Sequence, residues 1–315
     1  MARFLLRRLL MLVATLLVSS FLIFSSLYLA PGNPIATLSG GRALPPESVE
    51  MLEQRYHLDE PFLVRYWEWL KGVLHGDLGL SIGQRQDVSS LISARIWTTL
   101  ELVAYASLII LVIGIGLGVL AGLRPGGVDT SILVLTTVLA ALPAFVAATV
   151  LMSTFSVRLG WFPAFGNGEG VFGRIRHLTL PAIALAGASM ALVARVTRTS
   201  VRGEVDREHV QTAVSRGLPR GTIIRRHVLR NAAIPITTVA GITIASLIAL
   251  AAVVERAFSL NGLGSYLVAA AASKDFAVVQ GISLVLVTVF VVLNTIVDLL
   301  YALLDPRVQL GTRAA

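Results

Sequence analysis

The 315-residue chain is 55% hydrophobic and only 14% charged, with a mean hydropathy of +0.79. That balance excludes a water-soluble core wrapped in a polar surface and defines a membrane protein. The chain has no cysteine, which excludes disulfide frameworks and thiolate metal sites, and its net charge of +8 says less than where the charges sit.

Six stretches lack Asp, Glu, Lys, Arg and His: 9–41, 102–123, 130–157, 178–194, 231–254 and 276–297. Each approaches the roughly 20 residues that a helix needs to cross the hydrocarbon layer, the fourth only marginally. The first follows Arg3, Arg7 and Arg8 like a secretory signal. It is too long for a signal core, and Tyr28 is too bulky for position −3 of a cut after Ala30, so it is expected to be a retained helix. "PGNP" at 31–34 ends it, because proline cannot continue the hydrogen-bond ladder.

An insert follows over 31–97 with six basic and eight acidic residues. Its "PESVEMLEQRYHL" places Val49, Leu52 and Tyr56 on one apolar stripe, which predicts a helix. "FLVRYWEWLKGVLHG" predicts a second, with Tyr66, Trp67, Trp69 and Leu70 suiting it to the membrane surface. In the second span Gly114, Gly118 and Gly122 recur every fourth residue, a spacing that lets helix backbones approach closely in lipid. Pro143 is expected to bend the third.

Charge then sets an expected topology. Residues 195–230 carry nine Arg against Glu204, Asp206 and Glu208, which holds this loop in the cytoplasm and leaves the acidic insert outside. Six spans with both termini cytoplasmic satisfy this. "AFSLNGLGSYLVAAAAS" at 257–273 would make a seventh and reverse the C-terminus, so it is read as an external re-entrant or interfacial segment.

The basic loop has its own design. Residues 206–216 predict a helix, Gly217 a left-handed or sharply turned position, and Pro219 the first turn of a second helix toward Arg230. Ile223, Ile224 and Val228 form a ridge flanked by Arg225, Arg226 and Arg230, a combination suited to helix-in-groove recognition. Retention of positive charge would not require the helix–glycine–helix form. Nucleic acid is excluded as a partner, because a loop tethered between two membrane helices has little freedom to enter a groove.

Catalytic signatures are missing. There is no H-E-x-x-H or G-x-S-x-G, the five histidines are scattered, and Lys71 and Lys274 lie outside any phosphate-loop pattern. An ATP site therefore has to belong to another chain. Ionisable residues at span ends, Glu101, Glu255 with Arg256, and Asp298, either anchor and pair locally or serve gating and substrate contact.

"VQTAVSRGLPRGTIIRRHVLRNAAIP" at 210–235 resembles the cytoplasmic "EAA" signature of permease subunits of binding-protein-dependent ABC importers. Ala213, Gly217 and Leu229 match that pattern, while Gln211, Thr212, His227 and Arg230 depart from it in the manner of the dipeptide, oligopeptide and nickel branch. "MARFLLRRLL", "APGNP", "RLGWFPAFG", "VERAFSLNGLG" and "YALLDPRV" resemble the same branch in matching order, so the likeness covers nearly the whole chain.

The resemblance implies an all-α polytopic protein of the type I ABC importer fold, with six transmembrane helices and an external helical insert between the first two. Its parts would be a tail and first helix at 1–30, the insert at 31–97, a five-helix core at 98–305 holding a coupling hairpin at 203–231, and a cytoplasmic tail at 306–315. It further implies an inner-membrane location, no cofactor on this chain, ATP and Mg on two partner ATPase subunits, a second homologous permease, an external solute-binding protein and surrounding lipid. Gln211, Thr212, Ala213, Gly217, Leu218 and Leu229 would carry ATPase coupling, and Glu255, Arg256, Gly262 and Gly264 are external gate candidates. Short peptides are the implied cargo, with nickel complexes and other peptide-like solutes left open. The competing class is an ATP-independent secondary transporter, for which charges or broken helices near mid-membrane are expected.

Overall fold

A computed structural model describes residues 2–28, 60–81 and 83–304. These form helices α1 (Ala2–Tyr28), α2 (Phe62–Leu74), α3 (Val88–Leu123), α4 (Gly127–Ala141), α5 (Ala144–Arg158), α6 (Gly170–Val205), α7 (Glu208–Ser215), α8 (Arg220–Ala257), α9 (Leu263–Ala272) and α10 (Phe276–Leu304). Among the described residues the only β pairing is an isolated bridge between Leu80 and Asp87. The expected helix around Val49, the turn at "PGNP" and the tail at 306–315 lie outside the described residues.

Five helices, α1, α3, α6, α8 and α10, are long and apolar enough to cross a membrane, and α4 with α5 makes a sixth as a bent pair. The break between α4 and α5 is 104°. Its cause is local: Pro143 sits at φ −59°, ψ 143° and Leu142 before it is extended, as the proline ring requires of its neighbour. The segment read as re-entrant or interfacial contains the ten-residue α9, about 15 Å long and too short to span.

Two boundaries differ from the sequence reading. The second span begins at Val88 rather than near residue 98, so the insert ends at Asp87. Buried Val88, Leu91 and Ile92 pack against Leu263, Val278 and Ile282, which carries the helix through a stretch that its serines and Arg95 disguise. The marginal fourth span lies inside a 36-residue helix whose apolar window is 67% buried, against 11% for α1. Thus α6 is the protein-facing centre of the bundle and α1 a peripheral, largely exposed helix.

The glycine stripe on α3 explains how α6 reaches the centre. A Cβ added at Gly118 would overlap Thr197 and the Ala194 carbonyl, and one at Gly122 would overlap Val201. Gly114 is less crowded, its nearest neighbour being the Met190 carbonyl at 3.2 Å from an added Cβ. Two backbones therefore meet along little more than two turns, where packing replaces the hydrophobic drive available in water. At the periphery, α2 is clipped to α1 by rings: Phe21 and Phe24 meet Phe62 and Tyr66, and the Ser20 and Tyr66 hydroxyls are 2.9 Å apart. Trp67 stays exposed on the other face, with the Lys71 ammonium over its ring.

Candidate functional site: the interhelical hairpin and the opposite end

Between α6 and α8 the chain reverses through α7. Asp206 ends α6 at ψ 0° and Arg207 is extended, so α7 starts at Glu208; residues 203–205 belong to the long helix before it. Gly217 has φ +70°, the left-handed region that penalises any Cβ. Around it the Gly217 N–H donates to the Val214 carbonyl at 2.9 Å and the Leu218 N–H to Ala213 at 3.3 Å, which closes the end of α7 as a Schellman turn. Pro219, at φ −58°, then opens α8.

The expected second arm is not a short helix. Arg220 begins a helix that runs unbroken to Ala257 through a π-helical segment at Ile223–Val228. The hairpin's second arm is thus the first turns of a span, and motion of α7 would act directly on a helix about 57 Å long (38 residues).

The inner face of α7 is firmly seated. Val210 and Ala213 are each 3% exposed and pack with Ile223, Val228 and Ala232 of α8 and Val201 of α6. At its edge the Asn231 amide donates to His209 Nε2 at 3.0 Å and to the His227 carbonyl at 3.0 Å, while Glu204 lies 3.5 Å from His209 Nε2 and 3.6 Å from Arg207 Nε. The outer face is bare: Gln211, Thr212, Val214 and Leu218 are exposed, Val214 at 55%. Of the residues named from sequence, Gln211, Thr212, Gly217 and Leu218 thus share the open side. Ala213 and half-buried Leu229 face inward and support the bend.

A clamp absent from the sequence reading lies behind the hairpin. Asp129, near the start of α4, accepts both Nε and Nη2 of Arg198, the latter at 2.6 Å, and Arg202 Nη1 at 3.2 Å. It fastens the bent pair to the last turns of α6. The only sequence signal was one acidic residue opposite a row of arginines.

The four gate candidates lie at the opposite end of the bundle. Glu255 has no exposed surface; it accepts the Thr99 hydroxyl at 2.6 Å and the Ser265 N–H at 2.9 Å, while Thr99 Oγ1 accepts the Leu263 N–H at 2.8 Å. A carboxylate from α8 and a hydroxyl from α3 therefore cap the first turn of α9, whose own N-cap, Gly262, has no side chain to do so. Gly262 lies directly on the Glu255 carboxylate and Gly264 on Ala252, with no room for a Cβ at either. Arg256 is exposed and takes no part in this cluster.

Two further ties at this end were missed. Buried Asp275 accepts the Ser81 hydroxyl at 2.6 Å and the Gly83 N–H at 3.0 Å, and Asn167 joins Thr98 to the backbone of Asn261. Among the described residues no group of three His, Cys, Asp or Glu could hold a metal ion.

The described helices make a bundle with one short, half-covered hairpin and a pinned opposite end, and its class is that of the type I ABC importer permeases. The family described as binding-protein-dependent transport system inner membrane component matches residues 114–310, and its N-terminal companion matches 1–103. The chain belongs to this family. It is an inner-membrane component of a binding-protein-dependent transport system, and family membership implies ATPase and solute-binding partners.

Among curated relatives, the dipeptide transport system permease protein DppB of Alkalihalophilus pseudofirmus is 33% identical over 98% of this chain and all of its own length. The oligopeptide transport system permease protein AppB of Bacillus subtilis is 35% identical over 98% and 100%, and a putative peptide transport system permease protein of Brucella abortus 36% over 98% and 99%. The fold is similar to that of the MetNI methionine ABC transporter in inward-facing conformations, with a TM-score of 0.55 and 17% identity over 68% of this chain and 96% of that one.

Proposed function

We propose that this chain is one of two homologous permease subunits of an ATP-driven importer of short peptides. The exposed side of α7 would rest on one of two ATPase subunits, which hold ATP and Mg; this chain would hold neither. Both termini and the hairpin would face the cytoplasm, and the insert would face an external solute-binding protein.

One observation carries the reading: α7 is fixed on its inner side and bare on its outer side, and it continues through a rigid bend into a span. Closure of the ATPases would then tilt α8 and bias the bundle between two states, each favoured by a different ligand. Peptide cargo rests on the likeness to dipeptide and oligopeptide transport permeases over nearly their full length.

The test is uptake of labelled di-, tri- and pentapeptides by vesicles holding this chain with its partner permease, ATPases and binding protein. ATP- and binding-protein-dependent uptake is expected. Uptake by the lone chain without ATP would overturn the proposal in favour of a secondary carrier.

A further inference from the structure

Where α3 ends beside the start of α8, the surface opens into a cavity of about 470 Å³. Its walls are apolar, made by Val119, Leu120, Leu123 and Ile224, and Arg124 and Arg220 stand in the same lining. Both arginines are exposed, and among the described residues neither forms an ion pair. Two carboxylates on the flanking helices are committed elsewhere, Asp129 to Arg198 and Arg202 and Glu204 to Arg207. Pro219 offers no side chain to cap α8, so the positive end of that helix adds to the two guanidiniums.

The depth of this cavity decides what fills it. Leu123 is the last residue of the charge-free run 102–123 and Arg124 the first charge after it. The apolar walls therefore lie at the hairpin-side edge of the hydrocarbon layer and the arginines at headgroup level. A soluble anion would use the charges and leave the walls wet. An acidic phospholipid uses both.

We infer that this cavity is a binding site for an anionic phospholipid, its phosphate held between Arg124 and Arg220 and one acyl chain lying along Val119, Leu120, Leu123 and Ile224. Bound there, the lipid bridges α3 and the hairpin-proximal turns of α8. It would make the hairpin's stiffness depend on membrane composition.

Native mass spectrometry of the full chain, released from micelles supplemented with phosphatidylglycerol or phosphatidylcholine, tests this. Two basic contacts at the membrane surface predict up to about 30-fold preferential retention of phosphatidylglycerol. The double variant Arg124→Ala/Arg220→Ala should lose most of that preference and the double lysine variant keep it. Leu120→Trp, which fills the cavity and leaves both charges, should also reduce retention. An unchanged preference in the double alanine variant would overturn the assignment, as would full displacement of the lipid by excess inorganic phosphate. So would loss of co-purifying ATPase in that variant with lipid retention intact, which would give the arginines to a protein partner.

Discussion

The two ends of the bundle solve opposite problems. At the insert end, the side-chain pairs Glu255–Thr99 and Asp275–Ser81 join positions 156 and 194 residues apart, and Thr99 and Asp275 also hold the distant backbone N–H groups of Leu263 and Gly83. At the hairpin end, α7 is satisfied only from behind, and Gln211, Thr212, Val214 and Leu218 are left bare. A buried polar group without a partner costs more than the bond it makes is worth, so the first end is built for integrity. The second presents a bare face, the one that the proposed function gives to an ATPase subunit.

This contrast predicts that damage to stability and damage to coupling fall in opposite orders. Glu255→Ala should be the most destabilising change, because it strands the Thr99 hydroxyl and the N–H groups at the start of α9; a loss of about 3–5 kcal/mol is expected in detergent unfolding. Gly118→Ala comes next, at about 2–3 kcal/mol, since its Cβ would meet the Ala194 backbone and push α3 off α6. Gly187→Ala is the control, because nothing lies within 4 Å of that position and the better helix former should add up to about 1 kcal/mol. A destabilised Gly187→Ala with a tolerant Gly118→Ala would refute the packing argument.

Gly217→Val should cost about 1–2 kcal/mol, wholly through backbone strain, as an added Cβ meets no neighbour there. Gly217→Asn should cost less, because asparagine tolerates the left-handed region. Equal stability of all three forms would show that the turn relaxes and transmits nothing. Smallest of all, Gln211→Ala with Thr212→Ala should alter stability by no more than about 0.5 kcal/mol, yet lower recovery of the ATPase subunits in pull-down. Normal recovery would place the partner elsewhere.

Much of this was legible in the sequence because lipid imposes simple rules. Charge-free runs, the spacing of Gly114, Gly118 and Gly122, the ring of Pro143 and the Gly217–Pro219 bend each act through local geometry. The polar ties did not announce themselves. Asp275 with Ser81 and Glu255 with Thr99 depend on which distant segments the bundle brings together, and Asp129 is one acid facing two arginines a helical turn apart. The helix start at Val88 was hidden for a related reason, since residues that pack only in the assembled bundle look polar in sequence; α6 instead reaches back to Gly170 through exposed residues, and Arg174, Arg176 and His177 break its apolar run.

Because the chain contains no cysteine, single introduced thiols report contacts without background. The most direct test places one on the bare side of α7, Thr212→Cys, and another at the opposite end, Arg256→Cys, in the assembled complex. The account predicts that a short crosslinker joins position 212 to a nucleotide-hydrolysing subunit and never position 256. Crosslinking from 256 instead, or none from 212 in a complex that still hydrolyses ATP during transport, would contradict it.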